Sequence, residues 1–206
     1  MLFNFLTYNK FKFRKWDKYS LEERAYAFQK LEIIQAKKLH RPVANVVFRE
    51  MDEKMKGQFI PGKNIILMNK MFITEDMLRF DGMFTLFHEG RHAFQHHVCF
   101  DGVEDGLFSK ARKWRKNFGG YISGANGDEF SFYAMQPIER DANKYALSRL
   151  KDFRFRFGED RYYNATVSFE ERCFYDDKFR AKEELGFFYK HKIAKRQKEE
   201  YERYNY

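Results

Sequence analysis

Phe87-His88-Glu89-Gly90-Arg91-His92-Ala93-Phe94-Gln95 is the stretch that most restricts this chain. It contains His-Glu-x-x-His, a pattern that makes chemical sense on a helix. There, residues four apart lie one above the other on the same face. His88 and His92 can therefore offer imidazole nitrogens to one metal ion. Glu89 sits beside them, offset from the line joining the pair, within reach of a water on that metal. Two neutral nitrogen ligands, an open coordination position and a carboxylate to take a proton are what a zinc hydrolase requires. The apolar positions agree: Met83, Phe87, Gly90 and Phe94 form one stripe, widened by Leu86 and Ala93. His88, His92 and Gln95 or His96 fall on another side.

Two histidines do not complete such a site, because a third protein ligand is needed. His96 lies one turn further along the same straight helix, where three ligands in a row cannot converge on a tetrahedral ion, and His97 points elsewhere. A third histidine six residues after the second would fall on Val98. Downstream, Pro137 suits the first turn of a second helix, which runs Ile138-Glu139-Arg140-Asp141-Ala142-Asn143-Lys144-Tyr145-Ala146. Asp141 is turned about 200° from Glu139 on the helical wheel. Glu139 is the best-placed third ligand. It shares a face with Ala142, Asn143, Ala146 and Leu150, and small residues there are expected to let this helix approach Gly90 and Ala93 closely. Asn143 and Asp141 are the candidate outer partners of the ligands.

The remaining sequence supplies a fold around these helices. Ser20-Leu21-Glu22-Glu23 is a helix start with a capping box, followed by Leu21, Ala25, Phe28, Leu31 and Ile34 at helical spacing. Val43 to Arg49, Gly57 to Ile60 and Ile65 to Asn69 read as three strands, with Pro61-Gly62-Lys63-Asn64 marking a hairpin turn. A short helix is expected from Thr74 to about Phe80. Residues 1–19 form a basic and aromatic arm, expected as a short strand or a segment packed on the surface. One domain is expected over 20–168, with a Gly-rich insertion at about 100–131 whose loop at 117–128 could act as a lid. A C-terminal helical extension covers 169–206, broken near Gly186 and fraying into solvent after Lys190. The fold class expected is α+β: a small, mostly antiparallel sheet, the motif helix, the Glu139 helix and extra C-terminal helices.

Composition narrows the partners. The chain has 206 residues, 19% aromatic, with 3 prolines, which favours a folded, helix-rich globule over a disordered one. Its net charge of +9 permits nucleic acid, an anionic membrane or an acidic protein as partner and selects none. Cys99 and Cys173 are far apart and form no metal-spaced pair, so a reducing cytoplasm is the expected compartment. No run approaches the ~20 apolar residues of a membrane helix, and no membrane partner is expected.

His88-Glu89-x-x-His92, preceded by a small sheet with a Gly-containing hairpin and followed by Glu139-x-x-Ala142-Asn143-x-x-Ala146, resembles the gluzincin class of zinc metallopeptidases. It is similar in particular to the minigluzincins and the ImmA/IrrE-type peptidases. In that family the second motif runs Glu-x-x-Ala-Asn-x-Phe-Ala; Tyr145 takes the aromatic position here. The resemblance implies Zn2+ held by His88, His92 and Glu139, Glu89 as catalytic base, and a protein or peptide substrate. It also implies that Ile65 to Met68 is an exposed edge strand to which a substrate adds. Glu89 would accept a proton from the water that zinc acidifies and deliver it to the leaving amine. The donor that stabilises the oxyanion is open among Tyr121, Tyr133, Tyr162, Tyr163 and His191. The competing readings are a nucleic-acid-associated protein, using Lys110 to Lys116 and the basic arm, and a metal-dependent sensor or scaffold without turnover.

Overall fold

The computed structural model describes residues 7–101, 108–123 and 130–204. Parts of the Gly-rich insertion, 102–107 and 124–129, lie outside the described residues, and so does the second part of the proposed lid, 124–128. The chain divides into two compact units, residues 1–94 with 145–168, and residues 95–144 with 169–206.

The first unit contains helix α1 (Leu21–Lys38), strands β1 (Asn45–Arg49), β2 (Gly57–Ile60) and β3 (Ile65–Asn69), and most of helix α2 (Arg79–Phe100). Ser20 starts α1 as its sequence predicts: Ser20 Oγ accepts the Glu23 N–H, and the Glu23 carboxylate accepts the Ser20 N–H at 2.9 Å. The helix ends where His40 turns left-handed, at φ 51°, ahead of Pro42.

The sheet departs from expectation in two ways. Its order is β1-β3-β2, with β1 parallel and β2 antiparallel to β3, so the sheet is mixed rather than mostly antiparallel. The strand Ile65–Asn69 is therefore central and not the exposed edge. The physical reason is its composition: Ile65-Ile66-Leu67-Met68 is a continuous apolar run, which suits a strand paired on both sides. Ile66 and Met68 are wholly buried. β2, with Gly57 and Gln58, forms an edge instead.

The N-terminal segment forms short helical turns, Asn9–Phe11 and Phe13–Trp16, not a strand. Phe11 and Trp16 are fully buried and pack with Phe28 of α1 at ring separations of 5.1–5.8 Å. Aromatic burial of this kind outweighs the alternation of the surrounding lysines. The segment expected as a helix from Thr74 is split into a turn at Met71–Thr74 and a 3-10 turn at Asp76–Leu78, before α2 begins at Arg79.

Gly90 faces α1, contrary to the expectation that it faces the Glu139 helix. A Cβ there would fall inside the van der Waals shell of the Gln35 side-chain nitrogen and lie 2.8 Å from an Arg41 guanidinium nitrogen. Both neighbours are fixed. Gln35 donates to the Leu86 carbonyl at 3.3 Å. Arg41 makes a paired bond to the buried Glu32 carboxylate at 2.7 and 2.8 Å. Gly90→Ala is therefore expected to destabilise the chain by about 2 kcal/mol or more, the range of overpacking a core. Urea titration of the two proteins measures it, and a midpoint equal to that of the wild type would contradict the close approach.

The second unit holds helix α3 (Phe108–Gly119), helix α4 from Pro137 (Pro137–Lys151, whose last residues belong to the first unit), most of helix α5 (Arg161–Leu185) and all of helix α6 (Tyr189–Tyr204). Gly186, at φ 77°, makes the break between α5 and α6 that its position predicts. Beyond Lys190 the chain is helical through Tyr204 instead of frayed, because α6 has a face to bury. Ile193 packs with Met135, Ala181 and Tyr189, and Gly119 and Gly120 let α3 approach Tyr201 and the Gln197 backbone. No helix among the described residues is long and apolar enough to cross a membrane.

Candidate metal centre

His88 and His92 lie one turn apart on α2, both half-buried, with their Nε2 atoms 2.9 Å apart. Glu139, in the first turn of α4, is buried. One ligand atom from each of the three residues lies within 4.8 Å of the other two. Two nitrogens bound at 2.0–2.1 Å in a tetrahedron stand about 3.3 Å apart, so a small opening of the two rings suits them to one ion. Two imidazoles and a carboxylate are a donor set for a divalent metal, and this set fits zinc.

Glu89, buried on the turn between the two histidines, is held by the sheet. Its Oε2 accepts the backbone N–H of Phe59 at 2.8 Å. That N–H is available because of the register. Asn69 N–H bonds to Lys56 O, so the alternation of an antiparallel ladder places Gln58 and Ile60 in the bonds to β3. The peptide groups of Gly57 and Phe59 consequently turn outward, towards the edge. Gly57 makes room for this arrangement, since a Cβ there would stand 2.8 Å from Thr85 and 3.3 Å from the Glu89 side chain.

Glu139 is positioned by a polar cluster in the second unit. The Tyr121 O–H donates to Glu139 Oε1 at 3.0 Å. Tyr121 is set against the start of α4 by two wholly buried amides. Asn117 Nδ2 and Ile122 N–H donate to Gln136 Oε1 at 2.7 and 2.9 Å, and Gln136 Nε2 donates to Ile122 O at 2.8 Å. Asn117 Oδ1 accepts the Ile138 N–H at 3.0 Å, which caps α4 from outside the helix. Tyr121 also packs edge-on against Tyr133, with ring centres 6.2 Å apart. Of the five side chains open to the role of a donor near the ligands, the structure sets Tyr121 against one of them. Nothing in the sequence singles it out, because one of the amides that place it, Gln136, is fifteen residues away and the other, Asn117, is an ordinary polar position four residues before it.

The other candidates fall elsewhere. Asp141 accepts a bond from the wholly buried Gln95 side chain at 3.0 Å, and Gln95 donates as well to Ile138 O. Asn143 is half-buried one turn beyond Glu139. His96 packs on Phe100 and Phe118, and burial pushes its pKa down. His97 pairs with Asp101 at 2.7 Å. Neither His96 nor His97 belongs to the three-residue group.

No family model, no curated protein and no solved structure matches this chain. The reading of the site rests on the residues themselves.

Proposed function

We propose that this chain is a zinc-dependent peptidase, with His88, His92 and Glu139 as metal ligands and Glu89 as general base. The observation that carries the proposal is the convergence of three ligand atoms within 4.8 Å, with Glu89 directly beside the first of them. A zinc ion bound there would polarise a substrate carbonyl and bring the pKa of a water towards ~7. Glu89 would serve as the base that takes a proton from such a water and passes it to the leaving amine. The Tyr121 hydroxyl, bonded to Glu139 Oε1, would keep that carboxylate oriented as a ligand. The outward peptide group of Gly57, next to the Phe59 N–H that Glu89 occupies, offers an extended polypeptide an edge to pair with, so β2 takes the substrate role expected of β3.

Metal removal tests this reading. The protein as purified is expected to carry about one zinc per chain and to hydrolyse an unfolded polypeptide. A chelator abolishes hydrolysis, and stoichiometric zinc restores it. Binding of zinc without any hydrolysis across a panel of unfolded proteins would leave a metal-holding protein in place of a peptidase. Failure to bind zinc would remove the whole assignment.

A further inference from the structure

We infer that the first unit carries a binding surface for single-stranded nucleic acid, built from two segments far apart in sequence, residues 7–18 and 149–163. The two lie against each other. Tyr8 packs on Phe153 with ring centres 4.4 Å apart, and the Arg156 guanidinium stands over the Tyr8 ring at 5.6 Å. The wholly buried Arg79 bridges them further. It donates to the Phe11 carbonyl at 3.0 Å, pairs with Asp160, and lies 5.7 Å from the Phe13 ring and 5.6 Å from that of Tyr162.

Together these segments hold ten Lys and Arg against four Asp and Glu, an excess of six in a chain whose net charge is +9. Lys12, Arg14, Lys15, Lys18, Lys151, Arg154 and Arg161 are exposed. Each segment also repeats one local pattern, an exposed phenylalanine between cations: Lys12-Phe13-Arg14-Lys15 and Arg154-Phe155-Arg156. Phe13 is 47% and Phe155 100% exposed. A fully solvated ring on a helical turn gains nothing from its own fold. Flanked by guanidinium groups, it matches a polymer of alternating flat bases and phosphates, in which a base stacks on the ring and neighbouring phosphates meet the cations.

The occupant is single-stranded, because a duplex keeps its bases stacked on each other and presents none to a ring. A membrane fits less well. Interfacial binding scales with apolar area, and within these two segments the large exposed apolar side chains are those two rings. The helix α3, with Lys110, Arg112, Lys113, Arg115 and Lys116, is basic along its exposed face, but Trp114 is buried and no exposed aromatic interrupts the described cations. This surface is independent of the metal reading.

The test is fluorescence anisotropy with a labelled oligothymidylate of about 20 nucleotides, titrated with the full chain at several salt concentrations. Wild type is expected to bind, with an affinity that falls steeply as salt rises. Phe155→Ala, which removes a wholly exposed side chain and leaves the melting temperature unchanged, weakens binding by at least about fivefold and leaves the salt slope unaltered. Arg154→Glu with Arg156→Glu lowers the slope by about 1.4, the loss of two phosphate contacts on a single strand. Lys110→Glu with Lys113→Glu, of equal charge change on α3, leaves binding near that of the wild type. The inference is overturned by absence of binding at low salt, by a Phe155→Ala protein that binds as wild type does, or by equal losses from the two charge-reversed pairs. It is also overturned if the chain sediments with phosphatidylserine vesicles and ignores the oligonucleotide, which would assign the surface to a membrane.

Discussion

Glu89→Gln is expected to lower the rate of polypeptide hydrolysis by about 10²–10⁴-fold, the usual contribution of a positioned general base, with zinc content unchanged. The substitution is nearly isosteric. Glutamine keeps a side-chain oxygen that can accept the Phe59 N–H, now bonded to Glu89 Oε2 at 2.8 Å, so the edge strand and the motif helix stay in place. What it loses is the capacity to take a proton from water. His88 and His92 do not depend on that carboxylate for their place on α2, and metal affinity should stay within a few-fold of wild type. A variant that hydrolyses at near the wild-type rate while binding zinc normally would show that another group acts as the base.

Glu139→Gln should reduce zinc affinity by more than ~100-fold, since losing a ligand must exceed the ~10–100-fold that losing an outer partner costs. Tyr121→Phe supplies that smaller comparison. It removes one hydroxyl, the donor to Glu139 Oε1 at 3.0 Å, and leaves a ring of the same shape beside Tyr133. An affinity loss of about 10–100-fold is expected. Competition with a chromophoric chelator reads both values. The metal-free melting temperature separates them from misfolding, because the Asn117–Gln136 amide cluster that fixes this region is intact in either variant. Wild-type affinity in Glu139→Gln would mean that the ion, if bound, is held by a different set.

The metal grouping was legible in the sequence wherever it depended on short-range geometry. His88 and His92 are four residues apart on a helix, so their joint presentation follows from 3.6 residues per turn. Glu139 was legible from residue type and its place just after Pro137. The capping box at Ser20 and the break at Gly186 are equally local. The sheet order was not local, and the hairpin turn at Pro61 to Asn64 drew notice to β2 and β3 without showing what lay beyond them. The signal was nevertheless present: four consecutive apolar residues at Ile65 to Met68 describe a strand buried on both sides, and Gly57-Gln58 describes an edge. The direction of Gly90 could not be read, since glycine carries no side chain to reveal which neighbour it accommodates. Tyr121 was one phenol among several until the buried amides of Asn117 and Gln136 placed it.

Arg79 has a bearing on how far this chain can be shortened. Its guanidinium, without contact with solvent, is satisfied by the carbonyl of Phe11, the carbonyl of Asp76 and the carboxylate of Asp160. Cutting away the first eighteen residues would withdraw one of those acceptors and uncover Phe28 where Phe11 and Trp16 now cover it. A buried cation that loses an acceptor keeps its full desolvation cost. The first turn of the motif helix is thus secured from the far N-terminus, and a trimmed version that keeps every ligand would begin that helix on a buried guanidinium short of one acceptor.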